Sequence, residues 1–461
     1  MAALETEANE AVSRQQPEVF RDLTSGDILG NVLYMGVPSM VGFASMTIYA
    51  LISMFWVARI GTAEVAAVTL FSSFAAILGA VNSMVGSGSV AVISRRFGER
   101  DFDGTANAVK QTMVMKFSMG LPMAAAGYLL AGHVLRVMTS DQRVISLGVA
   151  YARVYFLGLP FMFTMYTVYT ALRGIGEAPR AMYIMLATTA LNMGLDPLLI
   201  FKFGLGVRGA ALGSALSAAT AVTVGLLVLR FGQGCLRTRM RGFRTDPEVM
   251  GQVLRIGLPP FVESLSRSAA VWVFAIFVAT YGVTVVAAYG IVTRVVELGA
   301  VFAVGLELGA SAIVGQNMGA GKPERAAQSA RKAALLALGI ALGVSTLEVI
   351  FGREIMQIFG RATEVKALGA YVLVFFAIAQ PMSACAVALA SAFYGSGHTW
   401  PPMIAALTAA WVVQIPLAGL CVHVFHLPTL ALWLVVILAN VVLLSVMVAW
   451  FRRGTWKRGR V

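Results

Sequence analysis

The feature that most constrains this chain is a succession of twelve apolar stretches separated by short polar connections. With their flanks they fall at residues 29–57, 64–94, 107–133, 146–171, 181–201, 209–230, 254–280, 285–315, 328–352, 368–393, 401–424 and 428–451. A hydrocarbon core of about 30 Å takes roughly 20 apolar residues per helix, and inside it the backbone must satisfy its own polar groups. Each stretch is therefore expected to be a membrane-crossing helix. Composition agrees, because 58% hydrophobic and 12% charged residues among 461 leave too little polar surface for a soluble globule.

A net charge of +13 would suggest nucleic acid in a soluble protein. Here the basic residues sit between apolar spans, so no nucleic-acid partner is expected. Arg95, Arg96, Arg100, Arg173, Arg180, Arg237, Arg241, Lys322, Arg325 and Arg452 fall in alternate loops and the C-terminal tail, whereas the opposite loops hold fewer, among them Arg59, Arg136 and Arg353. Basic loops stay cytoplasmic. An even span number then puts both termini inside, in an inner (plasma) membrane protein whose first span is the targeting signal. Cys235, Cys385 and Cys421 lack metal-binding or disulfide spacing, and His133, His398, His423 and His426 form no cluster, so no metal centre is expected.

Sliding the chain on itself reveals an internal repeat at an offset of 221 residues. Gly36-Val37-Pro38 meets Gly257-Leu258-Pro259, and Gly88, Gly98, Pro160 and Gly174 meet Gly309, Gly319, Pro381 and Gly395. Each unit carries six spans, so the second re-enters from the same side as the first. The expected fold is an all-α membrane protein of twelve transmembrane helices in two parallel six-helix bundles. A pseudo-twofold axis along the membrane normal relates them, with a cavity between. The boundaries are a tail at 1–27, bundles at 28–230 and 254–451, a basic linker at 231–253 and a tail at 452–461.

Several segments are more specific than the span count. Gly315-Gln-Asn-Met-Gly-Ala-Gly-Lys-Pro-Glu-Arg-Ala326, Leu191-Asn-Met-Gly-Leu-Asp-Pro-Leu-Leu-Ile-Phe201, Gly204-Leu-Gly-Val-Arg-Gly-Ala-Ala-Leu212 and Phe55-Trp-Val-Ala-Arg-Ile-Gly61 stand out. Together they resemble the multidrug and toxic compound extrusion (MATE) family, over about residues 28 to 450. The glycines from Gly315 to Gly321 do not make a phosphate loop, because Lys322 precedes Pro323 rather than Ser or Thr. They read instead as a turn that lets helices approach closely.

Asp196 is the most informative residue. A carboxylate within a span costs about 2.5–3.5 kcal/mol on insertion scales, so it needs a partner or a task. Asn192 lies one turn earlier on the same face, and the two can form a cation or proton site, or a structural polar pair. The family resemblance implies the former, with partners on spans one and six that correspond here to Tyr49, Ser53 and Ser214. Relatives often carry Asp where Ser53 stands, so this chain has one negative charge fewer. Oxygen ligands suit Na⁺, but H⁺ coupling needs only the carboxylate and is the favoured expectation; no other cofactor is implied.

In the second half Glu263 and Arg267 stand four apart on span seven, which suggests a static ion pair or a second polar site. The family's NorM-like branch places an acid near Ser383, but no Asp or Glu follows Lys366. Arg294 and Glu297 are expected to pair on span eight, near Glu307. Lys116 and Arg153 are expected to reach the interface. A wall rich in Met and Phe would suit lipophilic ligands. The resemblance thus implies a monomeric antiporter that exports small organic molecules, lipophilic or cationic drug-like compounds, by alternating access, in contact with membrane lipid. A flippase of the same superfamily, moving a lipid-linked or other bulky metabolite, is the alternative. It would want cations lining a central groove, for which Arg267 and Arg294 are the evident candidates. An embedded enzyme would need an interfacial cluster of His, Asp or Glu, which is absent.

Overall fold

The computed structural model describes residues 21–231, 243–359 and 363–458. Cys235, Arg237 and Arg241 lie outside them. Among the described residues there is no strand, and twelve helices are long and apolar enough to cross a membrane. The first six are α1 (Ile28–Ala58), α2 (Thr62–Gly98), α3 (Phe102–Met138), α4 (Gln142–Gly174), α5 (Ala178–Lys202) and α6 (Val207–Arg230). The second six are α7 (Pro247–Ala279), α8 (Val283–Gly319), α9 (Pro323–Ile350), α10 (Thr363–Ser396), α11 (Trp400–Val424) and α12 (Thr429–Arg453).

Local chemistry sets the helix starts. Asp27, Asp101, Asp141 and Asp246 each accept backbone N–H groups of a first turn, which would otherwise lack acceptors. Pro247 and Pro323 open α7 and α9, where a missing N–H costs nothing. The Asp246 cap is why α7 begins at Pro247 rather than at residue 254, inside the expected linker.

The repeat is visible in the helix boundaries. Thr62 and Val283, Phe102 and Pro323, and Gln142 and Thr363 begin related helices, and Gly98 and Gly319 end them, all at the 221-residue offset. Widened π turns at Leu198–Lys202 and Leu420–Val424 close α5 and α11 within one residue of that register. The chain therefore folds as two related lobes.

The lobes meet along α1 and α8 and along α2 and α7. A Cβ at Gly309 would come 2.7 Å from Met35 in α1, and one at Gly257 would run into the Met84 carbonyl in α2. These two crossings are repeat-related, since Gly36 and Gly309 match Gly257 and Gly88. Without a hydrophobic drive between helices in lipid, such backbone-to-backbone packing at small residues is what joins them. The contact lies at the end that carries the chain's first described residues. Gly98 packs on the Gln316 carbonyl and Gly319 on the Arg95 carbonyl, so the glycine-rich turn serves close approach, as its spacing suggested.

Segment 21–27 crosses this seal. Asn31 of the first lobe donates to the Ser25 carbonyl at 2.9 Å. From the second lobe, Asn317 donates to the Leu23 carbonyl at 3.1 Å and Lys322 to the Thr24 carbonyl at 2.9 Å, while Gln316 donates to the Gly174 carbonyl at 2.8 Å.

Candidate functional site

The five residues expected around Asp196 come together inside the first lobe, from three helices. The α5 register puts Asn192 and Asp196 on one buried face, toward α6 and α1. Gly213 of α6 faces them so closely that a Cβ there would stand 2.7 Å from Asp196 Oδ1 and 3.2 Å from Asn192 Oδ1. Tyr49 of α1 shares a hydrogen bond of 3.0 Å with Ser214 of α6 and donates to Ser53 at 3.5 Å. The hydroxyls of Tyr49 and Ser53 flank the Asp196 carboxylate.

What this cluster lacks is well-formed hydrogen bonds to its acceptor oxygens. Asp196 is fully buried, yet both its carboxylate oxygens and the Asn192 amide oxygen accept no hydrogen bond of ordinary geometry. A buried oxygen left this way carries a desolvation cost of about 1–3 kcal/mol, more when charged. A proton on the carboxylate, or a hard cation among the oxygens, would remove that cost. The site has one carboxylate, one amide and three hydroxyls, with no metal-binding group of three or more His, Cys, Asp or Glu among the described residues.

A second region lies between the lobes, a cavity of about 440 Å³ bounded by α1–α4 of the first lobe and by α7, α8 and α10 of the second. Glu263 and Arg267 line it, but Asp196 does not. The expected Glu263–Arg267 ion pair is not formed, because Glu263 accepts a 2.7 Å hydrogen bond from the Tyr394 hydroxyl, 131 residues away on α10. The carboxylate is satisfied across the lobe instead of along its helix, which leaves Arg267 exposed toward the cavity.

Three other charged residues of the cavity, Lys116, Arg173 and Glu307, were not expected to line it. Lys116 does not reach the interface; it is 1% exposed and lines the cavity, and its Nζ has no hydrogen-bond partner. Arg173 is no loop residue, being 2% exposed in the last turn of α4, with Nε and Nη1 unpartnered. Glu307 accepts from Ser311 Oγ at 2.9 Å on the opposite wall. Arg294 pairs with Glu297 at 3.1 Å as expected, but both are exposed and neither lines the cavity. Arg153 lies over Tyr128, 5.2 Å from the ring centre.

Outside the spans, Glu177 links α4 to α5 and pairs with Arg180 at 3.1 Å. Burial pushes its carboxyl above the ordinary range, and the Arg180 charge opposes that rise.

Comparison with known proteins finds the same architecture. The MatE family model matches residues 38–198 and again 259–420, beginning at the repeat-related Pro38 and Pro259. The probable multidrug resistance protein YoeA of Bacillus subtilis (strain 168) is 27% identical over 427 residues, covering 91% of this chain and 92% of that protein. Among solved structures, the outward-facing conformation of a multidrug resistance MATE family transporter of the MOP superfamily superposes with a TM-score of 0.90. It shares 25% identity and covers 97% of this chain and 100% of its own. A MOP superfamily transporter from Pyrococcus furiosus Vc1, whose binding pocket is described as having reverse polarity that suggests a different function, reaches 0.88 at 25% identity. That match covers 95% and 98% of the two chains. With both halves matched and the two-lobe fold in place, this chain belongs to the MatE family, as a multi-pass membrane transporter and not an enzyme.

Proposed function

We propose that this chain is a secondary active antiporter that exports small organic compounds, multidrug substrates among them, in exchange for H⁺ or Na⁺ by alternating access. The observation that carries the reading is the separation of two unlike regions. A buried carboxylate with unpartnered oxygens sits inside one lobe, and a central cavity open to both lobes lies apart from it. An ion taken up at Asp196 changes the packing of α1, α5 and α6. Because α1 also forms the seal against α8, the ion is read as a preference between states, through differential affinity rather than direct contact. The multidrug names of the B. subtilis relative and of the outward-facing neighbour support the substrate class. One chain supplies both walls of the cavity, so it works as a monomer in the plasma membrane.

Basic residues in alternate loops favour cytoplasmic termini, with the sealed end facing the cytoplasm. Labelling of Cys235 by a membrane-impermeant thiol reagent in intact cells would contradict this topology. The function is tested in proteoliposomes by imposing pH and Na⁺ gradients separately. Uptake of substrate driven by one of them is expected, and transport indifferent to both would sink the antiport reading.

A second reading, movement of a lipid-linked or other bulky metabolite, gains from the basic residues Lys116, Arg173 and Arg267 along the cavity. It predicts scrambling of such a lipid in the same vesicles without either gradient.

A further inference from the structure

We propose that the first-lobe wall of the central cavity binds the anionic group, a carboxylate or phosphate, of an amphipathic organic anion, with Lys116 and Arg173 as its cationic contacts. The inference rests on the reading of this cavity as the substrate chamber and adds the charge class of what enters it.

Both side chains are at least nine-tenths buried, both line the cavity, and three of their nitrogens have no acceptor. No ion pair joins either of them to an acid among the described residues. The carboxylates of the chamber are engaged on the far wall, Glu263 by the Tyr394 hydroxyl and Glu307 by Ser311. Aromatic faces give little compensation, since Lys116 Nζ stands 5.9 Å from the Tyr166 ring centre and the Arg173 guanidinium 5.9 Å from that of Phe43. Two neighbouring like charges withdrawn from water need a counter-ion; Glu307 acts on Arg173 through space without forming an ion pair, and Lys116 has no acidic partner among the described residues. A carboxylate or phosphate would take charge-assisted hydrogen bonds from the ammonium and from the guanidinium fork.

The repeat shows that this polarity is a difference between the lobes. The second-lobe residue equivalent to Arg173 is Tyr394, which holds Glu263, and the equivalent of Gly86 is Glu307. Gly86 itself faces Lys116, whose Nζ would stand 3.6 Å from a Cβ placed there. The charged residues of the first-lobe wall, Lys116 and Arg173, are thus both basic, whereas the second-lobe wall sets Glu263 and Glu307 beside Arg267. A ligand's anionic end belongs against the first lobe, and any cationic group it carries belongs against the second. Phe43, Leu159, Met162 and Phe163 offer the apolar surface for its body, and the volume suits a drug-sized molecule.

The test uses the full-length protein in phosphatidylcholine nanodiscs, with 2-naphthoate and 2-naphthylmethylammonium as probes matched in body and opposite in charge. Wild type is expected to prefer naphthoate at equilibrium. Lys116→Met and Arg173→Met should each weaken naphthoate binding by about tenfold or more and leave the cation unweakened, while Lys116→Arg should retain naphthoate. Preference of wild type for the cation, or naphthoate affinity within about twofold of wild type in both Met variants, would overturn the proposal; the first needs no variant to fold. Equal loss of both probes would overturn it as well. Repeating the titration with phosphatidylglycerol in the nanodisc separates two sources of the anion. Competition with naphthoate assigns the site to a lipid headgroup, and its absence assigns it to a soluble anion, both within the proposal. Binding is read without any gradient, so failure of the antiport reading in transport assays is a separate result.

Discussion

The two lobes share helix starts, closing π turns and seal geometry, yet their interiors hold different chemistry. In the first lobe Asn192, Asp196, Tyr49, Ser53 and Ser214 gather in one buried cluster. Their equivalents in the second are Val413, Leu417, Ala270, Phe274 and Val435, all apolar. In return the second lobe carries Glu263 and Glu307 on the cavity wall, where the first has Gly42 and Gly86. The comparison separates what both copies keep, which the architecture requires, from what only one copy of each pair carries, which the proposed activity would use. Gly36 and Gly257 belong to the former, because each sits where two helices cross closely.

The sharpest way to break this contrast is to exchange the interiors. Asp196→Asn is expected to leave an inserted protein, monodisperse on size exclusion, with gradient-driven transport abolished. Retention of wild-type transport with the same pH dependence would make the cluster structural. Leu417→Asp, the reciprocal change, puts a carboxylate among apolar neighbours and should lower stability by about 3 kcal/mol with no gain in transport. A thermal-unfolding series measures it.

A smaller effect tests what both lobes keep. Gly88→Val places side-chain atoms where α2 meets the Val253 carbonyl, so the sealed end cannot close as packed. Cysteines introduced beneath the seal should then become reactive from the sealed side, and unchanged protection would show that the crossing is not what closes it.

The least effect is expected at the cavity wall. Tyr394→Phe removes the donor to Glu263 and should cost about 1–2 kcal/mol of stability. Arg267→Gln should not rescue Glu263→Gln, because the two side chains are unpaired. Rescue in a double-mutant cycle would restore the ion pair that their spacing suggested.

Spans, repeat and the close-approach turn were legible in the sequence because each is a local or periodic signal: charge-free runs, a constant offset, glycines in register. The neighbours of Asp196 were legible too, though through family resemblance rather than spacing, since Tyr49 and Ser214 lie 165 residues apart. The first-lobe cavity charges were not. Lys116 and Arg173 stand near polar flanks, where a basic residue ordinarily reaches water, and nothing along the chain shows that α3 and α4 turn them inward. Glu263 misled for a related reason. An arginine one helical turn away competes with a tyrosine that only tertiary packing brings near.

The distance between the proposed ion site and the cavity has a consequence for substrate range. Where ion and substrate share one pocket, each new substrate must fit around the ion's ligands, and selectivity is forced on the exchanger. On the proposed reading the ion would be held by a carboxylate that does not line the cavity, so ion and cargo would be recognised by different residues. Such a machine tolerates cargo of many shapes, and its characteristic failure is slippage, an ion crossing with nothing carried in return.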